Sequence, residues 1–122
     1  PREAFSELGY QAAIAGQKSY NGVALLSRQP LTDVRIGFAP VLGAEAIDLD
    51  EQKRVIAGVM DGIRVVNLYV PNGSAVGSDK YAYKLRWLGA LRNYLQTLLA
   101  TSQQSGVAPA LLVCGDFNIA LE

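Results

Sequence analysis

The 122 residues amount to 13.1 kDa, room for one domain and not for two. Half of them are hydrophobic and only 18% are charged, which excludes a disordered chain. Basic and acidic side chains balance at 11 each, so no global field announces an anionic partner. Histidine is absent, so these residues contain no histidine base, metal ligand or triad member.

Along the chain, residues 3–8 predict a short helix with Phe5 and Leu8 on one face, ended by Gly9. Tyr10 to Ala15 is a small apolar stretch leading to the turn-like Gly16-Gln17-Lys18-Ser19. Val23 to Leu26 reads as a buried strand closed by Arg28-Gln29-Pro30, and Leu31 to Ile36 as a further strand. Residues 37–53, with Gly37, Pro40, Gly43 and the acidic Glu45, Asp48, Asp50 and Glu51, predict a surface loop. The β-branched runs Val55 to Val59 and Ile63 to Leu68 flank Asp61-Gly62, a strong hairpin signal.

Asp79 is the expected N-cap of a long helix from Lys80 to about Ala100. Its leucines 85, 88, 91, 95 and 98 make a one-sided stripe for packing on a sheet, and Trp87 and Tyr94 are expected as packing residues. Ala110 to Cys114 is an all-apolar strand that predicts burial of the single cysteine, Cys114, which excludes an internal disulfide. No apolar run reaches membrane-spanning length and no leader-like segment opens the chain, so a soluble protein is expected. The start at Pro1 and the stop just after a strand predict a segment of something longer. The fold class expected is a mixed α/β layer structure.

The balanced charge hides an uneven distribution. Residues 1–53 carry a net −2, residues 54–92 a net +4 from six basic and two acidic side chains, and the remainder a net −2. The basic stretch can meet phosphates or simply form a solvated helix face. Asp116 and Asn118, at the end of a buried strand, can point a carboxylate and a carboxamide into one crevice. There Asp116 can touch magnesium or a metal-bound water and Asn118 can hold a phosphate oxygen, or the pair can form a side-chain-to-backbone turn. Tyr69 and Asn72, in Tyr69-Val70-Pro71-Asn72-Gly73, offer a phenol and an amide to a phosphoryl oxygen, against the alternative of a strand edge and a turn. Tyr20 beside Asn21-Gly22 is either a wedge against bases or sugar, or a plain packing tyrosine.

Four blocks in order tie these residues together. Residues 16–27 (Gly16-Gln17-Lys18-Ser19-Tyr20-Asn21-Gly22 and the strand after it), Asp50-Glu51-Gln52-Lys53-Arg54-Val55-Ile56, Asn67-Leu68-Tyr69-Val70-Pro71-Asn72-Gly73 and Leu112-Val113-Cys114-Gly115-Asp116-Phe117-Asn118-Ile119 resemble blocks of the exonuclease III and apurinic/apyrimidinic endonuclease family. The resemblance implies a portion of a four-layer α/β sandwich, two packed β-sheets flanked by helices, incomplete at both ends. Residues 1–122 are then the central segment of one catalytic domain.

The activity the resemblance implies is DNA repair: hydrolysis of DNA phosphodiesters 5′ to abasic sites and at 3′ ends, with Mg2+ or Mn2+. Asp116 matches the proposed general base or a metal-associated group. Tyr69 matches a residue that positions the scissile phosphate, and Asn118 one that steadies it. Asn72 matches a phosphate-contacting asparagine, while Arg54 and Tyr20 match positions of backbone contact and groove insertion. The family's principal metal glutamate and its catalytic histidine fall on blocks that these residues do not contain, so the isolated segment is expected to be inactive. The implied partner is double-stranded DNA with abasic sites or damaged 3′ ends, and the implied place is the bacterial cytoplasm, nucleoid-associated through DNA. Two alternatives stand beside this: a phosphoesterase of another branch of the superfamily, or a non-catalytic segment that binds DNA or self-associates.

Overall fold

The computed structural model describes residues 2–17, 21–104 and 110–119. Helix α1 (Arg2–Glu7) leads into β1 (Gln11–Gly16) and β2 (Gly22–Ser27), which pair antiparallel as a two-stranded sheet. Strands β3 (Leu31–Ile36), β4 (Val55–Met60), β5 (Ile63–Tyr69) and β6 (Leu111–Asp116) form a second sheet in the order β3-β4-β5-β6. The first three are antiparallel. The hairpin between β4 and β5 turns on Asp61 and Gly62, whose φ values of 52° and 75° are both left-handed, as the primed turns of tight hairpins require. Strand β6 joins β5 in parallel, which needs a long crossover, and helix α3 (Asp79–Gln104) supplies it. No helix among the described residues is long and apolar enough to cross a membrane.

Two cores lie on opposite faces of the four-stranded sheet. On one, α3 packs Trp87, Leu91, Tyr94 and Leu98 against Val55, Ala57, Val66 and Leu68. On the other, Val23 and Leu25 of the small sheet meet Ile56 and Val65. The Asn67 side-chain amide fastens the two sheets by donating to the Ala24 carbonyl at 2.9 Å. The result is an α/β structure with two packed sheets and a helical layer, the fold class expected from the sequence.

Four local expectations are corrected. The buried line of α3 runs through Trp87 and Tyr94 as well as Leu91 and Leu98, while Leu85 is 53% exposed. The Phe38 ring sits 5.1 Å from Trp87 and 5.4 Å from Tyr94, so the larger aromatic surfaces set the rotation of the helix. Residues 37–53 are not a plain surface loop: α2 (Ala39–Leu42) and a 3-10 helix (Ala44–Asp50) bury Ala46 and Leu49 beside Phe38. Asp50 allows this because its carboxylate accepts from the Phe38 and Ala39 amides at 2.7 and 2.9 Å.

The cap of α3 is Ser78, whose hydroxyl accepts from the Tyr81 amide at 3.1 Å, and Asp79 is the first helical residue. Finally, β6 is apolar but not buried. It pairs only with β5 among the described residues, and Leu112 and Cys114 are exposed.

Candidate active site at the carboxyl ends of β5 and β6

Parallel pairing places Tyr69 and Asp116 opposite one another at the same end of the sheet. The ladder continues one step further, with the Val70 amide donating to the Asp116 carbonyl at 2.9 Å. Strand β4 runs the other way, so its first residues arrive at this end too. The Tyr69 amide donates to the Arg54 carbonyl at 2.9 Å, and Arg54 Nη1 returns a bond to the Tyr69 carbonyl at 3.0 Å. Arg54 Nε donates to Gln52 Oε1 at 2.8 Å, and the guanidinium lies 4.6 Å from the centre of the Tyr69 ring. Two hydrogen bonds and a stacked face fix a cation beside the phenol.

Asp116 is exposed, and its Oδ1 accepts from the Asn118 amide at 2.9 Å. Asn118 is left-handed at φ 48°, a conformation asparagine tolerates, and its Nδ2 donates to the Val70 carbonyl at 2.7 Å. The side-chain-to-backbone turn foreseen as an alternative for this pair is therefore present, and it holds the carboxylate at the rim of the strand. The other oxygen of Asp116 accepts no hydrogen bond among the described residues. Asn72 closes a comparable turn, its Oδ1 accepting from the Ser74 amide at 3.1 Å, and stays exposed. Gly115 is obligatory between Cys114 and Asp116: its φ is 137°, and a Cβ there would collide with the Leu68 backbone.

A cavity of about 320 Å³ opens between Arg54, Tyr69, Asn72, Lys80 and Tyr83. Burial raises the Tyr83 phenol above its ordinary range and the nearby Arg54 guanidinium opposes this, so Tyr83 is a protonated donor at neutral pH. A shallower depression of about 490 Å³ surrounds Asp116 and Asn118.

Of the six basic residues in 54–92, the structure brings Arg54, Lys80 and Lys84 to this end. Arg64 pairs with Asp33 near the opposite end of β5, and Arg86 pairs with Asp48 at 2.6 Å. Tyr20 lies outside the described residues. Gln52, Tyr83 and Lys84 were not singled out from the sequence. For Lys84 the sequence signal is its place in the basic stretch 54–92, and for Tyr83 its place in the helix that follows the Pro71-Asn72-Gly73 turn.

No group of three or more potential ligands gathers among the described residues. Asp116 supplies one hard carboxylate, which suits a cation such as Mg2+ that binds through one or two carboxylates and keeps most of its waters.

The description Endonuclease/Exonuclease/phosphatase family matches residues 2–122. The exodeoxyribonuclease III of Haemophilus influenzae is 31% identical over 124 residues, covering 98% of this chain and 42% of that protein. A solved structure of the 3′ phosphatase NExo from Neisseria bound to a product DNA hairpin is 36% identical with a TM-score of 0.80, covering 100% of this chain and 43% of that one. An apurinic/apyrimidinic endonuclease from Archaeoglobus fulgidus is 36% identical with a TM-score of 0.81, covering 100% of this chain and 42% of that one. The chain thus spans well under half the length of these relatives, and the ordered blocks around Arg54, Tyr69 and Asp116 fall within the matched residues. On sequence and fold together, the chain belongs to the endonuclease/exonuclease/phosphatase family, among relatives named exodeoxyribonuclease III and apurinic/apyrimidinic endonuclease.

Proposed function

We propose that the protein containing these residues is a DNA repair nuclease that hydrolyses phosphodiesters 5′ to abasic sites and at 3′ ends. The observation that carries this reading is the convergence of Tyr69, Asp116, Asn118, Arg54 and Asn72 on one end of the sheet. Residues 1–122 act in it as the central segment of one catalytic domain, working on double-stranded DNA with abasic sites or damaged 3′ ends in the bacterial cytoplasm.

In this reading Asp116 orients the attacking water and takes its proton as the water oxygen bonds to phosphorus. The bond from phosphorus to the 3′ oxygen breaks, and that oxygen departs and is protonated from solvent. Tyr69 donates its hydroxyl to a phosphoryl oxygen, and Asn118 holds the Asp116 turn while steadying the phosphate. Arg54 and Asn72 hold the flanking backbone, and Tyr20 inserts toward the groove. Mg2+ or Mn2+, held at Asp116 directly or through a water, supplies charge stabilisation at the phosphate when bound. The 122 residues by themselves turn over little or no substrate.

The test is cleavage of an abasic duplex by the full-length protein with Mg2+, beside Asp116→Asn and a phosphoinositide substrate. Loss of incision in the variant with DNA affinity retained supports the reading. Preference for the phosphoinositide would move the protein to another branch of the superfamily. Equal incision by Asp116→Asn would remove the general base.

A second reading, self-association, is favoured by one observation: Leu112, Phe117 and Ile119 are exposed on and beyond β6. A sedimentation mass equal to that of a single chain at every concentration rejects it.

A further inference from the structure

Lys84, in the second turn of α3, ties both site loops to one helix. Its Nζ donates to the Asn118 carbonyl at 3.0 Å. Its stem crosses the buried Gly73 so closely that a Cβ there would lie 3.0 Å from Lys84 Cδ and 3.2 Å from Tyr81 Cδ1. Gly73 directly follows Asn72. Asn118 is left-handed, with its amide on Asp116 Oδ1 and its side chain on the Val70 carbonyl, and Lys84 holds its remaining backbone group. The half-buried ammonium is thus committed inward, unlike the exposed Lys80 that lines the cavity.

We propose that Lys84 is a positioning residue for the phosphodiester hydrolysis: by clamping Asn118 and packing over Gly73 it fixes the aim of Asp116 and the place of Asn72. The inference rests on the reading of Asp116 and Asn118 given above. Three roles for this lysine predict different measurements. A lysine that grips DNA raises KM and steepens the salt dependence of binding. A purely structural one changes the melting temperature and leaves kcat alone. A positioning one lowers kcat at constant KM, because the reacting group loses its geometry and the substrate keeps its contacts.

The experiment uses the full-length protein on an abasic duplex with Mg2+, comparing wild type, Lys84→Met, Lys84→Arg and Asp116→Asn, with hydrogen exchange read at the Asn118 backbone amide. Lys84→Met is expected to lower kcat about 10- to 100-fold with KM nearly unchanged and to speed exchange at Asn118. Lys84→Arg, which keeps a donor on a long stem, is expected to recover most of both.

Unchanged exchange overturns the clamp. Faster exchange with unchanged kcat overturns the positioning role, and so does a rise in KM alone. If Lys84→Met does not fold, Lys84→Gln carries the same measurements; failure of both to fold makes the lysine a scaffold residue and overturns the proposal. A wild-type protein that leaves the abasic duplex uncut, or an Asp116→Asn variant that cuts normally, sinks the reading of the site instead. The exchange at Asn118 then still decides whether the clamp exists.

Discussion

Tyr69 and Asp116 are register partners across the parallel pair β5–β6, each the last residue of its strand. A phenol and a carboxylate thereby share one rim of the sheet, although a helix of 26 residues separates their strands in the chain. An antiparallel pairing of the same two strands would have sent their carboxyl ends to opposite edges. The crossover helix is therefore what makes the pair a site.

Tyr69→Phe keeps the ring beneath the Arg54 guanidinium and removes only the hydroxyl. Incision of an abasic duplex by the full-length protein is expected to lose about 10²-fold in kcat, the scale for removing one oriented donor, with an unchanged melting temperature. Tyr69→Ala should in addition lower stability, because the stacking partner of Arg54 is gone. Steady-state kinetics beside thermal melts separate the two.

Arg54→Lys keeps the charge but cannot reproduce the bonds to Gln52 and Tyr69 together with the stacked face. A loss of about 1–2 kcal/mol in urea titration is expected. The slope of log affinity against log salt should stay near wild type in this variant and fall by about 1 in Arg54→Gln, if the charge meets a phosphate.

Gly115→Ala should strain a backbone at φ 137° and press a methyl into the Leu68 backbone. Strain alone costs about 1–3 kcal/mol, and the relief available is separation of β6 from β5, which moves Asp116. The expected outcome is a lower urea midpoint together with lost incision. Normal activity in a stably folded Gly115→Ala protein would contradict the geometry.

Asp50→Ala removes the acceptor of two amide bonds at the start of α2. Bonds to a charged acceptor contribute about 1.5–3 kcal/mol each, so a loss of about 2–4 kcal/mol is expected once water partly replaces them. Because Phe38 packs tilted against Trp87, the fluorescence of Trp87 should report the loosening directly.

The Asp33 carboxyl is held below its ordinary range chiefly by its hydrogen bond to Arg64; partial burial opposes this, and Arg35 adds to the lowering. A depressed carboxyl contributes stability that is present above its unfolded value, about 3.9, and is lost as pH falls through the folded value. Asp33 is itself exposed, so the effect is small. Wild type is therefore expected to melt slightly above Asp33→Asn near pH 7, with the two curves converging as the pH drops below about 4. A gap that persists in acid would show that the charge is not its source.

The strands β2 to β5, the Asp61-Gly62 hairpin and the long helix were legible in the sequence because period, β-branching and turn chemistry are local properties. The blocks containing Arg54, Tyr69 and Asp116 were legible as well, since each is a contiguous run whose order along the chain is itself information. Asp50 was not: its three acidic neighbours Glu45, Asp48 and Glu51 signalled a solvated loop, and only the amides of Phe38 and Ala39 folded back onto it explain why the segment packs. Leu85 was misplaced on the buried stripe for a similar reason, because the rotation of a helix is set by the partner it meets, here Phe38.

Balanced charge was the first property of this sequence, and by itself it fixed only the absence of a global field. Sequence also determined which residue types exist to do chemistry, one carboxylate in a Gly-Asp-Phe-Asn run and a tyrosine before Pro-Asn-Gly, and it ruled histidine out of these residues. Tertiary structure decided which of the basic side chains serve the site, sending Arg64 and Arg86 to Asp33 and Asp48 and bringing Arg54, Lys80 and Lys84 beside Tyr69 and Asp116. It also exposed Cys114 on a strand that reads as buried. Both outcomes depend on strand pairing and helix crossing, contacts between distant residues that no local pattern encodes.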